Sequence, residues 1–345
     1  MLKVKLSIPG QSPHSKLDKF IGRTDNNVDN CKFYINMDVE NPDYWFVLEN
    51  VYKNEEVCFI DPSKVIYLNY ETSYPKDYFS TQYMKNYLSQ FSHKYGCYDD
   101  FSKNYTLSPP FIPWMINSKQ GGSWFNTDNI DFEYLKNFDR KDKTNTLSII
   151  CSSKKITDDH SVRLLFAEKI TEHFGSDIDW FGDGIKNIEN KWEAVSNYKY
   201  HIVLENESRN FLISEKLYDS YLGLAFPFYY GGSNVNSFFS EDTYRSIDVL
   251  DIKKSIEVIE KGIKENLFEK NYESIKQSRN LVIEKYNLFK RISEIVNNLE
   301  ENSKSKIKER VSIKSVNYFW NRDVNYKNKI KHFLKRKLRI NVNNY

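Results

Sequence analysis

Short apolar runs separated by polar turns dominate the first part of the chain. "LKVKLSI" alternates from Leu2 and predicts a strand, and "DYWFVLENV" gathers Trp45, Phe46, Val47 and Leu48 into a second. "KVIYLNY", Lys64 to Tyr70, predicts a third that ends at Glu71. The period then changes. In "DYFSTQYMKNYLSQF", Tyr78, Phe79, Tyr83, Tyr87 and Phe91 recur at helical intervals. Prolines break "LSPPFIPWM" into an irregular connection, and the double glycine of "SKQGGSWFNTDN", Ser118 to Asn129, predicts a flexible loop.

The charged segment "KNFDRKDKTNT", Lys136 to Thr146, reads as an interdomain linker. After it, strands and helices alternate. The strand "LSIICSS" leads to a helix over "DDHSVRLLFAEKITEHF" and then to the strands "DIDWFG" and "YKYHIVL". A helix from about Leu212 to Leu224 and the run "AFPFYYGG" complete an order that predicts a doubly wound α/β unit. Beyond Asp251 the chain turns helical: Ile252, Ile256, Ile259 and Ile263 mark one amphipathic helix, and Val282, Tyr286, Phe289, Val296 and Leu299 a second. There is no internal repeat. Pattern and length together predict domains over 1–140 and 147–300, followed by a basic amphipathic segment over 304–345.

Composition narrows the class. Forty per cent apolar and 16% aromatic residues in 345 suffice for globular cores. No run approaches the ~18 apolar residues that cross a bilayer, and the opening residues read as a strand and not as a signal peptide, so a cytoplasmic protein is expected. Cys31, Cys58, Cys97 and Cys151 lie far apart without a C-x-x-C pair, which predicts buried, reduced thiols. The six histidines show no metal-ligand spacing. The net charge of +3 hides an asymmetry: residues from Lys304 on carry a net +11, leaving −8 for the rest. Ile330, Leu334 and Leu338 among those basic residues suit an anionic membrane surface, so residues 327–340 are expected to lie on one; a solvated tail is the alternative. Phe333 alone makes no stacking platform for nucleic acid.

Open α/β sheets bind ligands beyond the carboxyl ends of their strands. "YKYHIVL" delivers Glu205 and Asn206 to such a place, and the next helix buries Ile213, Leu217, Tyr221 and Leu224 with Glu215 and Lys216 at its entry. A lysine there can neutralise a phosphate, and a carboxylate can hold a ribose diol. An ordinary surface Glu–Lys pair has the same spacing.

The stretch "YKYHIVLENESRNFLISEKLYDSYLGLAFPFYYGGSN" resembles the donor motif of the family 10 glycosyltransferases, the α-1,3-fucosyltransferases. That motif runs Y-K-F-x-L-x-F-E-N, then D-Y-I-T-E-K-L-W/Y, then G-x-x-P-V-x-x-G. The likeness covers residues 147–250, continues in fragments over 28–116, and ends by about 265. It implies a GT-B-like α/β fold, two Rossmann-like domains facing a cleft with C-terminal helices. It implies inverting transfer of L-fucose from GDP-fucose to a glycan hydroxyl, on a surface glycan such as lipopolysaccharide or capsule and on a lipid-linked acceptor if the basic segment meets a membrane. "SIICSSKKITDDHSVRLLFAEKI" matches the strand and helix that place a diphosphate-binding arginine, here Arg163, with Ser152 in the same pocket. Asn206, Glu215 and Lys216 fall on donor-binding positions. "YLNYETSYP" resembles M-N-F-E-S-P, which makes Glu71 the base that activates the acceptor. No metal or cofactor is implied, and the D-x-D at Asp177 and Asp179 sits where the family has a strand. One departure stands out: Leu212 replaces the usual tyrosine and has no phenol hydroxyl, so another nucleotide sugar is an alternative donor. A catalytically silent glycan-binding protein on the same fold is a further alternative.

Overall fold

A computed structural model describes residues 1–11, 18–23, 25–75, 77–98, 104–117, 130–155, 158–302 and 307–324. They form two α/β units, each built around a mainly parallel sheet, as the strand–helix order predicts. The first unit combines Met1–Phe111 with the chain from Leu288 on; the second is Ile112–Asn287.

The boundary at Phe111 lies well before the charged stretch expected to link two domains. Those charges are used inside the second unit. Phe132–Asn137 form a helix capped by Asp131. The Asp139 carboxylate accepts from Tyr272 Oη (2.5 Å) and Lys276 Nζ (2.8 Å) on the helix Tyr272–Glu284. Lys143 is buried, donating to the carbonyls of Tyr198 (2.9 Å) and Gly223 (2.6 Å). A buried ammonium stays charged only where such acceptors replace its water.

In the first unit, β1 (Leu2–Ser7), β2 (Asn27–Val28), β3 (Cys31–Ile35) and β4 (Tyr44–Leu48) precede β5 (Glu55–Ile60), β6 (Val65–Leu68), β7 (His93–Gly96) and β8 (Tyr105–Leu107). The main sheet has the order β2-β3-β1-β4-β6-β7-β8, antiparallel only between β2 and β3. β4 and β6 are buried throughout, as central parallel strands covered on both faces must be. Of the helical spacing seen over 78–91, only Gln82–Leu88 is helix; Tyr78 lies in the turn before it. The proline-rich run is irregular, as expected, and Arg291 satisfies the carbonyls of Pro109 (2.6 Å) and Pro110 (2.7 Å). The glycine loop 118–129 lies outside the described residues. All four cysteines are free and buried, as expected.

The second unit holds β9 (Asn145–Ile150), β10 (Ile178–Phe181), β11 (Tyr198–Leu204), β12 (Phe226–Tyr230) and β13 (Arg245–Ser246), parallel in the order β10-β9-β11-β12-β13. After β9 the chain runs outward to β10, then returns to the other side of β9 as β11. The carboxyl ends of β9 and β11 therefore flank a topological switch point, where connections diverge and leave a crevice.

The helical pattern spanning Val282 to Leu299 divides in two. The helix Tyr272–Glu284 stays in the second unit, and Leu288–Asn302 opens the first unit's return. Tyr286 marks the break, its ring 5.3 Å from Phe239, while Phe289 packs 5.4 Å from Phe33. Part of the basic segment is also folded. β14 (Glu309–Lys314) pairs antiparallel with β5, and the helix Val316–Asp323 packs Phe319 beside Tyr87 at 6.2 Å. The proposed membrane-facing residues 327–340 lie outside the described residues, among which no helix is long and apolar enough to cross a membrane.

Phe319 is 7% exposed. Phe319→Ala is expected to destabilise the first unit by ~3 kcal/mol, read as a lower denaturant midpoint; an unchanged midpoint would show that this segment is not part of the folded unit.

Candidate functional site

A cavity of ≈ 500 Å³ opens at the carboxyl ends of β9 and β11. Ser152, Arg163, Asn206, Glu215 and Lys216 all line it. Five residues spread over 65 positions of sequence thus converge on one site within the second unit.

Backbone geometry makes the room. Cys151 N donates to Phe181 O (2.9 Å) and Ser153 N to Asp183 O (2.9 Å), so the segments after β9 and β10 lie side by side. Trp180 Nε1 adds a bond to Cys151 O at 2.8 Å. A Cβ on Gly182, whose φ is +148°, would stand 2.4 Å from Cys151 O, so only glycine permits this approach. Ser152 is thereby held at the rim. The helix Asp158–Phe174 brings in Arg163, which donates to Leu204 O at 3.4 Å. Its Nε is buried without a partner, and it makes no ion pair among the described residues. A partly buried guanidinium with an unsatisfied Nε can attract an anion.

Lys216 has different surroundings. The helix Glu215–Leu222 begins later than its apolar spacing suggests, because Phe211 adopts a φ of +63° and Ser214 serves as the cap. Glu205, 0% exposed, accepts from Ser214 N (2.8 Å), Ser214 Oγ (2.7 Å) and Lys216 Nζ (3.2 Å). Lys216 also lies 3.4 Å from Glu215, and Lys191 lies 3.7 Å from Glu215 and 2.9 Å from Asp219. The result is a line of alternating charge: Glu205, Lys216, Glu215, Lys191, Asp219. The pair Glu215–Lys216 is therefore built into the site and is not a solvated surface pair.

Burial works to raise the Glu215 pKa, but the ammonium groups of Lys216 and Lys191 outweigh it and bring it down to about 2. For Asp219 burial prevails over Lys191 and lifts it to about 6. Sequence reasoning missed Lys191 and Asp219. Asp219 follows Glu215 by one helical turn, a spacing that places both on one face; Lys191, in a short 3₁₀ turn, carries no such signal. His201 was also missed. It lines the cavity, and burial, aided by Lys191 and Lys143, holds its pKa down to about 3, so the ring is neutral.

Glu71, the predicted base, belongs to the first unit and follows β6. Its Oε1 accepts from Thr72 N (2.8 Å) and Ser73 N (2.9 Å). The loop is organised by Glu49, whose Oε1 accepts from Tyr70 N (2.6 Å), Glu71 N (2.8 Å) and Asn69 Nδ2 (2.6 Å). Asp179 accepts from Tyr198 Oη (2.8 Å) and Lys186 Nζ (3.1 Å), and no described group of His, Cys, Asp and Glu is arranged to hold a metal.

No family model and no curated protein matches the chain. Solved structures do. An α1,3-fucosyltransferase with GDP-fucose is 16% identical over 79% of this chain and 81% of its own, with a TM-score of 0.43. A second α1,3-fucosyltransferase structure is 16% identical over 80% of each chain, TM-score 0.46. A glycosyltransferase from Rickettsia africae is 11% identical over 75% of this chain and 71% of its own, TM-score 0.34. Likenesses at this level carry no argument about chemistry, which rests on the residues of the cavity.

The lowered Glu215 pKa fixes a pH dependence. Ionised Glu215 stabilises the fold fully above its ordinary value of 4.5, and that contribution is lost as pH falls towards about 2. The loss amounts to roughly 3 kcal/mol. Glu215→Gln should therefore lower Tm at pH 7 and converge on the parent near pH 2 in thermal melts; parallel curves would contradict the assignment.

Proposed function

We propose that the chain is an inverting glycosyltransferase of GT-B-like architecture that moves L-fucose from GDP-fucose to a hydroxyl of a glycan acceptor. The observation that carries this reading is the convergence of Ser152, Arg163, Asn206, Glu215 and Lys216 on one cavity at a sheet switch point. The cavity volume of ≈ 500 Å³ suits a small-molecule ligand. In this reading Arg163 and Lys216 meet the diphosphate, so no metal is invoked, Glu215 holds the ribose, and Asn206 and Ser152 keep the ligand in register. Glu71 takes the proton from the acceptor hydroxyl as its oxygen attacks the anomeric carbon. The carbon–oxygen bond to the diphosphate breaks, and GDP departs with the bonding pair. Cations already in place favour that departing charge more than the ground state.

A second donor is favoured by one observation. Leu212 is 0% exposed, its N–H donates to Arg209 O (3.3 Å) and its carbonyl accepts from Tyr229 Oη (2.8 Å), so its side chain brings no recognition hydroxyl to that position. A different sugar on the nucleotide fits that loss.

Calorimetry tests the nucleotide site. The unpaired Arg163 carries more of the anion's charge than Lys216, which two carboxylates already offset. Arg163→Ala is expected to weaken GDP binding by about a hundredfold and Lys216→Ala by less; GDP affinity equal to the parent in Arg163→Ala would remove that residue from the site. Glu71→Ala should cut turnover by a hundredfold or more, on the order of a general base's contribution, while GDP affinity stays the same. Parental turnover in that variant would refute its role.

A further inference from the structure

The deep end of the cavity holds a histidine whose tautomer the structure determines. Ser148 Oγ donates to Ala194 O at 2.6 Å and lies 2.8 Å from His201 Nδ1. A hydroxyl has one proton, and Ala194 takes it. The ring must then donate from Nδ1, which leaves the lone pair on Nε2. That nitrogen has no hydrogen-bond partner among the described residues, and His201 lines the cavity. Ser148 and Ala194, which fix the ring, are both 0% exposed and His201 itself 4%, so the arrangement is built and not incidental.

The line of charges gives the site a direction. Lys216 precedes Glu215, and Glu215 precedes Lys191 and Asp219, one helical turn further along. If the diphosphate lies at Arg163 and Lys216 and the ribose at Glu215, the group beyond the ribose reaches the Lys191 end, where His201 stands. This step rests on the proposed nucleotide site. We infer that His201 is a specificity-determining residue: its Nε2 accepts a hydrogen bond from a ring N–H of the nucleobase. Bases with a ring N–H at that edge, guanine and uracil, satisfy it. Adenine and cytosine present a bare ring nitrogen there, and two lone pairs would face each other. Rejection follows because a buried acceptor left unpaired costs more than the bond itself contributes.

Calorimetry with GDP, ADP, UDP, CDP, GDP-fucose and inorganic pyrophosphate reads this directly. The parent protein is expected to prefer GDP over ADP, and UDP over CDP, by about tenfold or more. His201→Leu should bring both ratios close to one while leaving pyrophosphate affinity unchanged. Ser148→Ala, which frees the ring proton to move to Nε2, should reduce both ratios, and it decides the matter if His201→Leu does not fold. Ratios kept at parental values in the folded variants overturn the inference. So does a His201→Leu loss confined to sugar nucleotides, which would place the sugar at the deep end. A parent protein that binds neither pyrophosphate nor any nucleotide would instead sink the proposed nucleotide site.

Discussion

The second unit's site depends on one buried carboxylate. Glu205 sits at the carboxyl end of β11 with no solvent exposure, and its backbone N–H is tied to Tyr230 O at 2.8 Å. A carboxylate stripped of water costs several kcal/mol unless partners replace the lost hydration. Ser214 and Lys216 are those partners, so the demand of Glu205 determines where the helix Glu215–Leu222 begins. It also determines which residues its first turn presents. The loop after β12 must stay thin to permit this: a Cβ on Gly231 would meet Glu205 Cγ at 2.5 Å and Tyr229 Oη at 2.3 Å.

From that anchor the charges alternate outward, and their pairing divides the labour among them. Lys216 and Lys191 each lie between two carboxylates, so they hold the framework and can share a ligand's charge only in part. Arg163 approaches from the helix Asp158–Phe174 and, among the described residues, meets the Leu204 carbonyl and no carboxylate. The unbalanced positive charge of the cavity is therefore concentrated on Arg163, next to the switch point. An incoming anion would complete a set of interactions that the protein leaves incomplete.

The first unit uses the same device in a different place. Glu49 follows β4 in the left-handed region at φ +63°, an unfavourable conformation for glutamate that surrounding contacts must hold. Its oxygens accept from two backbone N–H groups and from the side chains of Asn69, Tyr67 (2.8 Å) and Tyr74 (3.1 Å). Those five donors shape the turn that carries Glu71. In both units, then, a buried glutamate at a strand end converts backbone and hydroxyl donors into a defined loop next to a residue with candidate chemistry.

Local patterning determined much of this protein. Apolar-rich runs such as "YWFVL" and "YKYHIVL" fit buried parallel strands, and the order of strands and helices predicts a doubly wound unit. Position after a strand end pointed to Asn206, Glu215 and Lys216, whereas Ser152 and Arg163 were implied only by the motif resemblance. Other features were invisible because they depend on partners distant in sequence. Lys5 alternates as though it faced solvent, yet it is 1% exposed and paired with Glu56 at 2.9 Å. Asp139 and Lys143 look like linker charges and are bound within the second unit; Tyr286 reads as mid-helix and is a break. Lys191 became legible only once its turn lay beside Glu215 and Asp219, and the proton on His201 only once the sheet brought Ser148 and Ala194 beside β11. Hydrophobic periodicity is a property of neighbours along the chain and survives in the sequence. The state of a buried charge or ring proton is set by whichever groups replace its water, and only the tertiary structure selects those.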